Sequence, residues 1–149
     1  MIKKYRLGFN VWGLILFIAI MVPNFIWFAF PAPNDILRAD SSTKILDTIA
    51  SVSQVIMIIF LCAIVNKQCK KIKWSPLILA SCICCLIYFA AWGFYYAGVT
   101  NALVILSLCL IPCLAFLFFA IDRKNMIAVI PAVIFTFCHL VYGIVNFII

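Results

Sequence analysis

Apolar residues fill five long stretches of this chain, and short polar segments separate them. A helix rises about 1.5 Å per residue and the hydrocarbon layer of a bilayer is about 30 Å thick, so about 20 apolar residues form a helix that crosses it. Lipid offers the backbone no hydrogen-bond partner, and a helix satisfies its own backbone groups. The pattern therefore predicts an all-α, single-domain bundle of five transmembrane helices, at residues 8–30, 44–65, 76–96, 102–121 and 126–149.

The composition supports this class of protein. Of 149 residues, 68% are hydrophobic and 10% are charged, whereas soluble domains average about 45–50% apolar and about 25% charged residues. We therefore expect the chain to lie in a lipid bilayer, as a multi-pass protein of the cell membrane. Seven of the eight cysteines fall within the apolar stretches, where we interpret them as small packing residues.

The basic residues predict the orientation of the bundle. Nine of them flank the first helix or lie in the second and fourth connections: Lys3, Lys4, Arg6, Lys67, Lys70, Lys71, Lys73, Arg123 and Lys124. Only Arg38 and Lys44 lie on the other side. Because cytoplasmic segments carry the excess of Lys and Arg, we expect the N-terminus in the cytoplasm and the C-terminus outside.

The same distribution argues against nucleic-acid binding, although the formal net charge is +7. The cluster in the second connection, Lys67, Lys70, Lys71 and Lys73, is instead expected at the cytoplasmic membrane surface. There it can contact anionic lipids or an acidic partner, or it can serve only to fix the topology.

The first apolar stretch resembles a secretory signal, because basic residues precede it. We expect it to remain as an uncleaved helix, since it is too long for a signal core and Pro31-Ala32-Pro33 is a poor cleavage site. Aromatic residues near the helix ends are expected to form interfacial belts. These are Trp27, Trp92, Tyr95 and Tyr96 on the outer side and Trp12 and Trp74 on the inner side.

The last helix carries a polar stripe. His139, Tyr142 and Asn146 are separated by three and seven residues, which places them within one sector of about 60° on a helix. An ionisable group in mid-membrane is by default a candidate functional residue. Because polar groups facing lipid are costly, this stripe is expected to face other helices or a water-filled cavity.

A second stripe lies on helix 2. Asp47, Ser51 and Gln54 share one face, and Gln54 is expected within about one helical turn of the depth of His139. If the two stripes meet, they form a polar pocket that opens to the outside. Its candidate ligand-binding residues are His139, Gln54, Tyr142, Asn146 and Ser51, joined by Asn24 and Tyr88.

A structural interpretation of the same residues stays open. The imidazole of His139 can be neutral and hydrogen-bonded to a neighbouring helix, and the stripes can hold the bundle together. Metal binding is not expected, because one His supplies too few of the three or four ligands that metals need. The sequence also has no acid, base and nucleophile set and no phosphate-binding loop, so we predict neither an enzyme nor a cofactor.

Two functions then fit the sequence. The first is binding or transport of a small solute or ion in the outward pocket. The alternative is an accessory, regulatory or immunity-type membrane protein that acts through helix–helix contacts with a partner. A homo-oligomer suits the first function, because so small a bundle often needs one to form a path.

Overall fold

The computed structural model describes residues 4–69 and 72–149. Within these residues it contains five α-helices, all long and apolar enough to cross a membrane, which confirms the predicted class of a multi-pass membrane protein. The helices are α1 (Val11–Ala29), α2 (Lys44–Ala63), α3 (Pro76–Tyr96), α4 (Ala102–Asp122) and α5 (Met126–Phe147), and two short strands are β1 (Tyr5–Leu7) and β2 (Ile64–Asn66).

Helix α4 forms the centre of the bundle. More than half of its span, 56%, is buried, against 11% for α1. Helices α3 and α5 both pack on α4, and α2 packs on α5. Helix α1 makes fewer contacts and lies across α2, α3 and α4. The core therefore consists mainly of side chains of α4, such as Ile105, Cys113 and Phe116, and of the residues that face them.

The helix starts follow from short polar side chains. Ser75 caps α3, since its hydroxyl accepts a hydrogen bond from the Ile78 amide at 3.1 Å, and Pro76 occupies the first turn. Asn10, Asn101 and Asn125 accept the corresponding amide hydrogen bonds at the starts of α1, α4 and α5. Each cap satisfies an amide that has no partner within its helix.

The sequence pattern extended two helices too far: β2 occupies the expected end of the second helix, and residues 8–10, between β1 and α1, are not helical. Residues 8–10 and 64–65 were expected to be helical. Instead β1 pairs antiparallel with β2, with Tyr5 opposite Asn66 and Leu7 opposite Ile64. The Gly8 amide then donates to the Ala63 carbonyl at 3.0 Å. The ribbon satisfies backbone groups of both segments, so α1 begins at Val11 and α2 ends at Ala63.

One end of the bundle, which we call the basic end, is held by asparagine side chains beside this ribbon. Asn125 is buried and donates to the carbonyls of Phe60 and Ile64, both at 2.9 Å. Asn66 is also buried and donates to the Lys124 carbonyl at 3.0 Å. The described members of the predicted cytoplasmic basic set lie at this end: Lys4, Arg6, Lys67, Lys73, Arg123 and Lys124.

The other end, which we call the Arg38 end, is organised by one carboxylate in the connection between α1 and α2. Asp35 accepts hydrogen bonds from Trp27 Nε1 (2.9 Å), from the Tyr95 hydroxyl (2.8 Å) and from Arg38 Nε (2.8 Å). Burial alone would raise the pKa of the Asp35 carboxyl, but these three hydrogen bonds and the charge of Arg38 outweigh it and hold the pKa below its usual value.

An aromatic cluster lies next to this carboxylate, on the side of the bundle interior. The Trp92 ring is the centre, with ring centroids of Tyr95 at 5.7 Å, Tyr96 at 6.0 Å and Trp27 at 6.2 Å. Trp92 and Tyr95 are buried within the bundle. The expectation that these two side chains lie in an interfacial belt is therefore wrong, because α3 turns this face towards α1 and not towards lipid.

Candidate functional site: a polar cavity between two helices

The two polar stripes predicted from the sequence line one cavity. Its volume is about 220 Å³. Helix α2 contributes Asp47, Ala50, Ser51 and Gln54, and α5 contributes Phe135, His139 and Tyr142. Four of the seven predicted ligand-binding residues therefore meet here: Ser51, Gln54, His139 and Tyr142.

Helical periodicity explains this set. Asp47, Ser51 and Gln54 are spaced by four and three residues along α2, so they project from one face. Phe135, His139 and Tyr142 have the same spacing on α5. Because α2 and α5 pack against each other, the two faces enclose the cavity between them.

The imidazole of His139 is held by aromatic stacking. Its ring centroid lies 5.1 Å from that of Phe135, with the planes inclined by 25°, and 5.8 Å from that of Tyr142, with the planes inclined by 13°. The Tyr142 ring in turn meets the Phe147 ring edge to face at 5.3 Å. These stacked rings fix the plane of the imidazole, and its nitrogen atoms take no part in the contact.

The polar atoms of the cavity are not paired with each other. Within residues 4–69 and 72–149, no hydrogen bond joins a protein group to the ring nitrogens of His139 or to the side chains of Gln54 and Ser51. Ser51 is exposed and Gln54 and His139 are half-buried, so a water molecule or a ligand in the cavity can provide the partners. The cavity thus presents unpaired donors and acceptors to whatever occupies it.

A chain of hydrogen bonds positions Asp47 in the cavity wall at the Arg38 end. The Asn146 amide donates to the Thr43 hydroxyl at 2.8 Å, and that hydroxyl donates to the Asp47 carboxylate at 3.0 Å. Asn146 Oδ1 also accepts from the amide and hydroxyl of Ser42, at 2.8 and 2.9 Å. Asn146 therefore does not line the cavity, and it acts on it through Thr43 by tying the end of α5 to the start of α2.

Two further predicted residues lie elsewhere. Asn24 Nδ2 donates to the Tyr88 hydroxyl at 2.7 Å, and this bond joins α1 to α3. Neither side chain lines the cavity between α2 and α5. The sequence shows that both residues are polar and lie within apolar helices, but it does not show which helices are neighbours.

The predicted lipid-contact or partner-contact lysines divide into three cases. Lys67 follows β2, and its amide donates to the Lys4 carbonyl at 2.8 Å. Lys73 borders a groove between α1 and α3. Lys70 and Lys71 lie outside the described residues.

Sequence reasoning missed two wall residues, Phe135 and Ala50. The signal for Phe135 was its position four residues before His139, which is the helical spacing that brings two rings into contact. The signal for Ala50 was its small side chain between Asp47 and Ser51. Among the described residues, no group of three or more His, Cys, Asp or Glu side chains is placed to hold a metal ion.

Comparison with known proteins finds no family model that matches this sequence, and no curated protein or solved structure with significant similarity to it. The function of this cavity must therefore be argued from its own geometry and chemistry.

Proposed function

We propose that the cavity between α2 and α5 binds a small polar solute or ion, and that it does so from the Arg38 end of the bundle. The observation that carries this proposal is the meeting of two separate polar stripes around one space, with the His139 nitrogens and the Gln54 amide unpaired towards it. A purely structural role would instead pair these groups across the helix interface.

The size of the cavity limits its occupant. Pockets for drug-sized ligands occupy about 300–1,000 Å³, and this cavity, at about 220 Å³, lies below that range. It has room for several water molecules, a partly hydrated ion, or a solute of a few heavy atoms. Larger metabolites and lipids are too big for it.

The charge of the wall favours certain solutes. Asp47 is the acidic residue of the wall, and none of the described residues that line it is Lys or Arg. The wall therefore attracts a cation, or a neutral solute that donates hydrogen bonds to the carboxylate and to the Gln54 carbonyl. His139 supplies either a donor or an acceptor of hydrogen bonds.

By the positive-inside rule, the Arg38 end faces away from the cytoplasm. The cavity is then outward-opening, and the protein serves as an external receptor for the solute or as one step of its transport. Transport would need a second state in which the cavity opens towards the basic end.

A thermal-shift screen of purified protein in detergent tests the proposal. The probes are Na⁺, K⁺, ammonium, small primary amines and small amides, each over a range of concentrations. We expect at least one of them to raise the unfolding temperature in a saturable way, because a ligand that binds only the folded state stabilises it by mass action.

Matched variants separate binding from folding. His139→Ala and Gln54→Ala should abolish the ligand-induced shift while the protein without ligand remains folded. Thr136→Ala and Thr48→Ala are the controls, since each removes a hydroxyl from α5 or α2 that donates to its own helix and does not line the cavity. An equal loss of the shift in all four variants would contradict the proposal.

One observation favours a second function, in which the protein acts through contacts with a partner helix. The described residues that line the cavity come from α2 and α5 alone, and Ser51 is exposed at its edge. A polar surface left open to lipid is costly, so a helix of a partner or of a second copy is an alternative cover.

The two functions give opposite results in one experiment. If a helix covers the cavity, Ser51→Trp should remove a partner or a dimer that is seen in mild detergent, and no small probe should shift the unfolding temperature. If the cavity binds a solute, Ser51→Trp should weaken the probe-induced shift and leave the oligomeric state unchanged.

A further inference from the structure

Helix α1 changes partners along its length. Near the basic end it lies against α2, where a β-carbon on Gly13 would approach the Leu61 carbonyl oxygen to 2.9 Å. Near the Arg38 end it lies against α3, through the Asn24–Tyr88 hydrogen bond of 2.7 Å and the contact of Trp27 with the α3 aromatic cluster. Helix α1 therefore diverges from α3 towards the basic end.

A groove fills the space that this divergence opens. Its volume is about 480 Å³, and nearly all of its wall is apolar. The wall side chains come from α1, α3, the segment before α3, and Phe119 of α4. Among the described wall residues, Ser81 carries a hydroxyl group, and this hydroxyl already donates to the Ala115 carbonyl at 3.0 Å.

The length of the groove matches one leaflet of a bilayer. Its α3 wall runs from Ile78 to Leu86, and the segment before α3 extends it to Ile72. At about 1.5 Å per helical residue, the distance from the start of α3 to Leu86 is about 15 Å, which is half of a hydrocarbon layer of about 30 Å. The groove ends near mid-membrane, where α1 and α3 converge.

The mouth of the groove has the chemistry of a membrane interface. Lys73 and Trp74 border it at the basic end, and Trp12 borders it on the α1 side. Lys73 and Trp74 are both exposed. A Lys at this level attracts an anionic headgroup, and Trp side chains prefer the headgroup region.

We propose that this groove is a binding site for one anionic phospholipid, with an acyl chain between α1 and α3 and the headgroup phosphate at Lys73. The volume lies within the range of about 300–1,000 Å³ that is typical of ligand sites. The apolar wall fits the chain, and the positive charge of Lys73 at the mouth fits the phosphate.

The shape favours a lipid over the helix of another protein. A transmembrane helix with its side chains is about 10–12 Å wide and needs a surface across the whole hydrocarbon layer. This groove extends through one leaflet, and the Asn24–Tyr88 contact closes it towards the Arg38 end. A flexible chain that enters from one leaflet fills such a space.

The test uses tryptophan fluorescence, because Trp12 and Trp74 line the groove. The full chain is placed in phosphatidylcholine vesicles that contain a minor fraction of phosphatidylglycerol, and the acyl chains of one lipid or the other carry bromine, which quenches a nearby indole. We expect brominated phosphatidylglycerol to quench at about fivefold lower mole fraction than brominated phosphatidylcholine, the preference that one basic residue at the surface provides.

Paired variants locate the effect. Lys73→Gln should abolish the preference, whereas Lys67→Gln, which removes the same charge from the same connection but does not line the groove, should leave at least half of it. Ala19→Phe should fill the groove and remove the quenching that occurs at low mole fractions of brominated phosphatidylglycerol. Ala90→Phe, on an exposed site outside the groove, should not. Circular dichroism checks that each variant is folded.

Equal quenching by the two brominated lipids would overturn the proposal. So would an equal loss of preference in Lys67→Gln and Lys73→Gln, because this would indicate general attraction to the basic end. Loss of a dimer in Ala19→Phe, without any lipid preference in the original chain, would assign the groove to a second copy instead.

Discussion

Gly143 on α5 lies so close to Cys109 on α4 that a β-carbon at this glycine would approach Cys109 Sγ to 2.6 Å. Cys109 is buried and has little room to move. This contact sets how closely α5 packs on α4, and therefore where His139, one turn earlier on α5, stands relative to α2.

Gly143→Ala should therefore destabilise the protein. Overpacking of a well-packed interface costs about 1–3 kcal/mol, which exceeds the gain of about 0.5–1 kcal/mol from replacing Gly by Ala within a helix. Thermal unfolding in detergent, followed by circular dichroism, measures the effect. Cys109→Ala in the same chain should restore part of the loss, because it removes the sulfur.

Gly93→Ala is the matched control for this variant. Apart from its chain neighbours and the backbone of its own helix, no atom of the described residues lies within 4 Å of a β-carbon placed on Gly93, so this change should be neutral or slightly stabilising. Equal unfolding temperatures for the two variants would show that α4 and α5 can separate at no cost.

Asp35 should make a pH-dependent contribution to stability. Its pKa in the folded protein is below the usual value, so the contribution is present above the pKa of the unfolded state, near 3.8, and is lost as the pH falls through the folded pKa. Asp35→Asn should lower the stability at pH 7 by about 1–3 kcal/mol, because it weakens hydrogen bonds to a charged acceptor. The difference from the original chain should shrink below about pH 4.

Asp40→Asn is the control for that series, since Asp40 is an exposed carboxylate in the same connection. Unfolding curves at several pH values should show little effect of this change. If Asp35→Asn lowered the stability by the same amount at every pH, the packing of this side chain, and not its charge, would hold the connection in place.

Tyr88→Phe should have a small but measurable cost. The Tyr88 hydroxyl accepts the Asn24 hydrogen bond between α1 and α3, and interhelical hydrogen bonds in membranes average about 0.6 kcal/mol. Tyr142→Phe is the matched change, because no described protein group hydrogen-bonds to that hydroxyl, and it should leave the stability of the ligand-free protein unchanged. The reverse order of the two unfolding temperatures would contradict the assignment.

Cys69 reports the orientation of the bundle, because it lies in the connection at the basic end while the other cysteines lie in helices. A membrane-impermeant maleimide should label it only after the cell is opened. Asp40→Cys, made in a Cys69→Ser background, should be labelled in intact cells. Labelling of Cys69 from outside would reverse the predicted orientation.

The sequence predicted the helices and their polar faces because both depend on local spacing. Hydrophobic length located five helices, and the period of 3.6 residues placed His139 with Tyr142 and Asp47 with Ser51 and Gln54. Whether two such faces meet depends on which helices are neighbours. That is a property of packing between segments distant in the sequence, so the shared cavity between α2 and α5 required the structure.

The misjudged residues have the same cause. Trp92 and Tyr95 have the side chains of an interfacial belt, but their face of α3 turns towards α1 and Asp35. Asn24 and Tyr88 are polar residues within apolar helices, but they bond to each other across another pair of helices. The ribbon was missed because Ile64 and Val65 continue the apolar run of α2, and only their pairing with Leu7 and Arg6, which are 57 and 59 residues away along the chain, makes them extended.

That ribbon has a consequence for biosynthesis. Tyr5 can pair with Asn66 only once α2 has been inserted and the chain has returned to the side from which it started. The first two helices are therefore joined at both ends into a closed hairpin, and α1 cannot adopt an inverted topology independently of α2. Residues 5 and 66 must therefore reach the same aqueous compartment, whichever side of the membrane that is.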